Sequence, residues 1–197
     1  ANNEIYLDQS GGSGTFTIKQ DGSTNTLGAV NDRAGLTGNS KTFTSITTGT
    51  GNDILIQETG NSTTTELLIT GNTNEVDSNV EGDSNDTTFE ITGNTNTLLV
   101  KADVAADVAN TTNNSTVDVT IEGNTNDVTF SMVDTDAAVN LWSLIGDLNV
   151  VNSYQQGQTG GIGHAQTVEL FGSSNNVDIY QIGTEAHTID LQVLGSD

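Results

Sequence analysis

Proline and cysteine are both absent from this 197-residue chain. Without cysteine there is no disulfide framework and no thiolate, and the redox compartment cannot be read. Without proline, hydrogen-bonded ladders can run uninterrupted, because each proline would remove a donor. Basic residues are scarce too. Lys19, Arg33, Lys41 and Lys101 stand against 26 acidic residues, for a formal net charge of −22. That balance argues against nucleic-acid binding, which needs clustered Lys and Arg on phosphates. It also argues against attraction to an anionic membrane. No apolar run approaches the roughly 18–20 residues of a membrane span, so no membrane insertion is expected. The N-terminal stretch ANNEIYLDQSGG carries no basic or apolar leader segment. Removal of a signal and loss of an initiator Met both fit it.

What the chain does have is a spacing. Glycines fall at Gly11 and Gly22, then at Gly38, Gly49, Gly60, Gly71, Gly82 and Gly93 in strict steps of eleven. Gly123, Gly146, Gly157, Gly172, Gly183 and Gly195 extend the series, with eleven-residue steps from 146 to 157 and from 172 to 183. Two, four and six residues before these glycines the side chains are mostly apolar: Ile5 and Leu7, Phe16 and Ile18, Leu67 and Ile69, Phe89 and Ile91, Val117 to Ile121, Val168 and Leu170. The residues between them are mostly polar. Alternation at period two predicts a short strand with one buried face, and it excludes a helix, whose period is 3.6. Glycine then supplies the corner. Three residues after it an asparagine recurs, at Asn25, Asn52, Asn74, Asn85, Asn96, Asn126, Asn149 and Asn175. Stacked asparagines can cap each corner and bond to one another along a ladder.

A strand and an arc in eleven residues make half a turn of a flat β-solenoid. Two such units make a rung of about 22 residues, and successive rungs stack about 4.8 Å apart. The fold expected is therefore all-β: one solenoid domain over residues 1–197, with seven or eight rungs. Antiparallel hairpins in a sandwich are the alternative, but they do not need constant spacing. The ladder is interrupted near 28–37, 101–116, 131–140 and 158–165, which read as insertions, the second as a bulge or short helix.

One arc carries more. Gln20-Asp21-Gly22-Ser23-Thr24-Asn25 reads Gln-x-Gly-x-x-Asn, which resembles the curlin repeat of bacterial curli fibres. Leu27 stands where that repeat has Ala. Gln9-Ser10-Gly11, Gln155-Gln156-Gly157 and Gln181-Ile182-Gly183 match its first half only. Gly71, Gly93 and Gly123 keep Gly-x-x-Asn behind Ile69, Ile91 and Ile121. The resemblance implies a curlin-like solenoid and a non-enzymatic building block of an extracellular fibre. Three departures point instead to a subunit docked on a larger scaffold: unequal rungs, a glutamine ladder confined to the two ends, and charge that would repel along a stack. By analogy of fold, the first expectation is a bacteriophage virion accessory protein, in a decoration, fibre or tail-associated role. A secreted curli-type fibre or biofilm-matrix subunit is second. A carbohydrate-binding or depolymerising spike module is third.

The candidates for chemistry read as structure. His164 and His187 are the only histidines, and exposed loop and rung positions are expected for them, not a zinc site. No Gly-x-Ser-x-Gly elbow appears, and Ser10–Gly14 reads as an arc. Asp134 and Asp136 share one insertion without an aromatic platform for sugar. Gly49-Thr50-Gly51-Asn52-Asp53 resembles one calcium nonapeptide, and one copy cannot stack a calcium ladder. No cofactor is expected beyond weak Ca²⁺ binding by surface carboxylates. An ice-binding face is disfavoured because the outward slots mix Thr with Asp, Glu, Lys and Tyr. Tyr6, Tyr154, Tyr180 and Leu141 fall on outward slots and are candidate interface residues, while Trp142 falls inward. No capping helix is expected at either end, so partner subunits, either copies of itself or a virion scaffold, are expected there. The location expected is extracellular or virion.

Overall fold

A computed structural model of the chain describes residues 2–28, 33–82, 84–102, 116–135, 139–157, 164–183 and 187–195. It opens with β1 (Asn2–Ile5) and β2 (Asp8–Ser10), then turns into β3 (Gly14–Asp21). The second rung is β4 (Thr24–Leu27) and β5 (Ala34–Thr37) with β6 (Lys41–Thr48). Then follow β7 (Gly51–Thr59) with β8 (Thr64–Thr70), β9 (Thr73–Glu81) with β10 (Asp86–Thr92), and β11 (Thr95–Ala102) with β12 (Thr116–Glu122). The last rungs are β13 (Thr125–Thr135) with β14 (Val139–Ile145), β15 (Leu148–Gly157) with β16 (Ala165–Phe171), and β17 (Ser174–Ile182) with β18 (Thr188–Leu194). The protein is a β-solenoid, and the described residues contain no helix.

Each rung gives one strand, or a split pair, to a ten-stranded sheet and one strand to an eight-stranded sheet. Strands pair with those of the rungs before and after, and every pairing is parallel. Antiparallel hairpins are thereby excluded. Eight rungs give seven steps, or roughly 34 Å of stack.

The two inward faces meet in a thin core. Leu27, Ile54, Val76, Leu98, Val128 and Val151 form one buried column of the larger sheet. Leu67, Phe89, Val119, Trp142 and Val168 form one of the smaller. Removing each such side chain from water contributes about 1.5–3 kcal/mol. Trp142 meets Phe130 edge to face, with ring centroids 5.1 Å apart.

The two edges of the solenoid differ. From the smaller sheet to the larger, every link between strands is two residues, such as Gly71-Asn72 and Gly93-Asn94. This tight edge repeats Gly-x-x-Asn. The links from the larger sheet to the smaller vary in length. The regular ones share one arc, with Gly38, Gly60 and Gly82 and then Ser40, Ser62 and Ser84 all at positive φ. Gly82, at φ +113°, holds a conformation that side chains rarely adopt.

Some expected insertions are strand. Ala34–Thr37 is β5, which pairs β2 and β7. Ser131–Thr135 continues β13, with a register shift between Val133 and Thr135, so the break there is a bulge and not an excursion from 131. Gly157 ends β15 within the ladder. Of the expected bulge or short helix over 101–116, Lys101 and Ala102 end β11 and Thr116 opens β12; residues 103–115, the stretch 158–163, and Asp136 lie outside the described residues.

Candidate assembly interface

The tight edge shows how one rung fastens to the next. Asn3, Asn25, Asn52, Asn74, Asn96, Asn126, Asn149 and Asn175 form one ladder, each Nδ2 donating to the Oδ1 of the next at 2.7–3.2 Å. The second amide hydrogen goes to a main-chain carbonyl, for example Asn52 to Thr70 and Asn126 to Ile145. A buried primary amide is thus satisfied on both donors and its acceptor. The ladder steps are 22, 27, 22, 22, 30, 23 and 26 residues, so three keep the expected 22 and insertions lengthen the rest. Asn85, expected in this series, sits on the variable edge instead. Its Oδ1 accepts from the Thr63 N–H at 3.0 Å and lies 2.9 Å from the Thr63 hydroxyl oxygen. Asn3 was not expected, having no glycine three residues before it, but Asn3-Glu4-Ile5 repeats the pattern of Asn74-Glu75-Val76.

The end rungs are open among the described residues. β1, β2 and β3 pair on one side only, and so do β17 and β18. Ile5, Leu7, Phe16 and Ile18 are only partly buried at one end, as are Val177 and Ile179 at the other. Ile189, Leu191 and Val193 stand in register with buried Gln166, Val168 and Leu170, yet are 47, 44 and 45% exposed. These side chains are core by sequence and surface by position. Among the described residues the ladder is open as well: no asparagine donates to Asn3 Oδ1, and Asn175 Nδ2 donates to the Gly172 carbonyl, at 3.2 Å, and to no asparagine. Apolar cross-sections with free strand edges are what natural proteins cover.

The other sequence-predicted residues are spread over the outer faces. Tyr6 and Tyr180 are more than half exposed, and Leu141 is 43% exposed. Tyr154 is half-buried and stacks on Tyr180 with ring centroids 5.8 Å apart. Beside this stack lies an open groove of about 310 Å³, lined in part by Thr129, Asn152 and Asp178. Leu141 lies beside exposed Val139 and Ile145 on the smaller sheet, apart from the tyrosines. Asp53 faces Glu75 in the next rung, and burial, then that neighbour, raise its pKa above the usual carboxylate range. Among the described residues no three His, Cys, Asp or Glu side chains are gathered to hold a metal.

The histidines do not take the exposed positions expected of them. They occupy the same arc slot in the last two rungs and stack at 5.2 Å, and His164 is only 1% exposed. Two buried charges also escaped the sequence. Lys41 Nζ lies 5.7 Å above the Phe16 ring, and Glu58 is fully buried, accepting from the Thr63 hydroxyl at 3.0 Å. Burial pushes the Glu58 pKa up to about 6, against the opposing pull of the Thr65 and Thr63 hydroxyls. Nothing in the alternation separated Glu58 from solvated acids except its inward slot, two residues before Gly60.

No family model, no curated protein and no solved structure matches the chain.

Proposed function

We propose that this protein is a non-enzymatic structural subunit of an extracellular assembly, whose end rungs are covered by further protein. The observation that carries the reading is the complementarity of the two open ends. Let the ladder continue past Asn175 onto Asn3 of a second copy. Val177 then meets Ile5, Ile179 meets Leu7, Gln181 meets Gln9, Ile189 meets Phe16 and Leu191 meets Ile18. The Asn175 donor gains the acceptor that Asn3 offers. On the outer faces, Asn176 meets Glu4, Asp178 meets Tyr6, Tyr180 meets Asp8, Asp190 meets Thr17 and Gln192 meets Lys19. In these columns no like charges oppose, although Asp53 and Glu75 do so within the chain. This favours the fibre-subunit reading, with copies stacked head to tail as the resemblance to curlins implies.

A second reading, a bacteriophage virion accessory protein, is favoured by the charge of −22 and the unequal links on one edge, which suit a fixed place on a scaffold. Negative-stain microscopy of the purified chain at low and high salt separates the two. Filaments that lengthen as salt screens the charge support self-stacking. Discrete particles that never grow, at any salt, contradict it and favour a dedicated partner.

A further inference from the structure

The start of the terminal strand β18 is fastened by a reciprocal pair of bonds. The Thr188 N–H donates to the His164 carbonyl at 2.9 Å. The His164 N–H donates to His187 Nδ1 at 3.2 Å. An N–H cannot donate to a protonated nitrogen, so this geometry requires a neutral His187 with its proton on Nε2. The ring is held in place. It lies flat on His164, with an interplanar angle of 15°, and it packs so closely on Gly183 that a Cβ there would fall 2.4 Å from Nε2.

We propose that His187 is a pH-sensitive clasp on the terminal rung. This rests on the reading that the β17–β18 end is a stacking surface, and it names how that surface is regulated. Protonating Nδ1 turns the acceptor into a donor, breaks the bond from His164 and places a cation against a second imidazole. The start of β18 is then released, a strand whose seven residues are all exposed and pair on one side only. His164 is the titratable group stacked on His187. Glu169 and Asp190 stand in outward columns of β16 and β18, and Gln155, Gln166 and Gln181 are neutral amides. Glu185, in the same link, lies outside the described residues. Acid that protonates this ring therefore opens the clasp and loosens the surface on which a second copy would dock.

The test is amide hydrogen exchange on the separated full chain at pH 7.5 and pH 5, corrected for intrinsic rates, with wild type beside His187→Asn. The Asn Oδ1 stands close to where Nδ1 stood, keeps the acceptor and does not titrate. The expected result is a loss of protection over Thr188–Leu194 of about tenfold or more in wild type at pH 5, with β10 unchanged, and no such loss in the variant. Equal protection at both pH values, or the same loss in His187→Asn, overturns the proposal. Imidazole ¹⁵N NMR of wild type at pH 7.5 is a second check that needs no variant. Nε2–H is expected on His187, and an Nδ1–H tautomer overturns the clasp. Because exchange is read on separated chains, failure to form filaments at any salt removes the stacking reading and not the clasp. Filaments with unchanged β18 protection remove the clasp alone.

Discussion

Asn74 and Asn96 are 22 residues apart in the chain and 2.7 Å apart in space, the amide of one donating to the carbonyl oxygen of the other. Asn74 also accepts from Asn52 and donates to the Thr92 carbonyl. Its removal strands a donor on Asn52 and an acceptor on Asn96, both away from bulk water, while the Thr92 carbonyl keeps the Gly71 N–H. Asn74→Ala should therefore cost about 3 kcal/mol. Exposed Asn94→Ala should cost less than about 0.5 kcal/mol. Urea midpoints of both variants against wild type check the contrast.

The corner glycines are not all needed for the same reason. At Gly93 a Cβ would stand 2.2 Å from the Gly71 carbonyl oxygen and 2.4 Å from the Asn74 amide nitrogen. The carbonyl is backbone of the rung beneath and cannot swing away. At Gly12 nothing lies within 4 Å of such an atom. Gly93→Ala is expected to destabilise by roughly 2–3 kcal/mol, as overpacking does, and Gly12→Ala by less than about 0.5 kcal/mol. Thermal denaturation of the pair measures the difference.

Glu58 makes the fold pH-dependent in a defined direction. Its folded pKa of about 6 exceeds the ordinary value of 4.5, so the folded state holds the proton more tightly than the unfolded. Stability from this group is full below pH 4.5 and is lost as pH rises through 6. At pH 7.5 the loss amounts to roughly 2 kcal/mol. Glu58→Gln keeps an acceptor for the Thr63 hydroxyl without the charge. It should raise the urea midpoint at pH 7.5 and leave it nearly unchanged at pH 4. A variant no more stable than wild type at pH 7.5 contradicts a buried ionised carboxylate.

Much of this fold was legible because a solenoid writes its geometry as a period. Inward Leu67, Phe89 and Val119 and outward Glu66, Glu90 and Asp118 follow from alternation alone, and glycine spacing marks the arcs. Seven of the eight asparagines expected at arcs fall on the one ladder. Asn85 does not, because a uniform count of eleven merges two edges that differ physically: both pack glycine on glycine, but the variable edge adds a second positive-φ residue, at Ser40, Ser62 and Ser84. The register of unequal rungs was not legible either, since residues 131–135 pair by bulging, which no periodic pattern announces. His164 and His187 looked unrelated because 23 residues separate them, yet that is one rung of this chain. The inward columns of the first and last described rungs were legible from clean alternation. That their columns match each other needed the three-dimensional register.

The central claim is that the two ends fit one another in a single register, and the absence of cysteine makes it directly measurable. Glu4 and Asn176 occupy the same outward column, at opposite ends of the stack. In a head-to-tail pair their Cα atoms would lie about 4.8 Å apart, within disulfide reach. Glu4 and Asp178 are out of register by two residues, which puts them beyond about 7 Å. Oxidation of Glu4→Cys/Asn176→Cys should yield a ladder of covalent oligomers on a non-reducing gel, and Glu4→Cys/Asp178→Cys should remain largely monomeric. Equal cross-linking of the two, or none in the matched pair, would contradict the account.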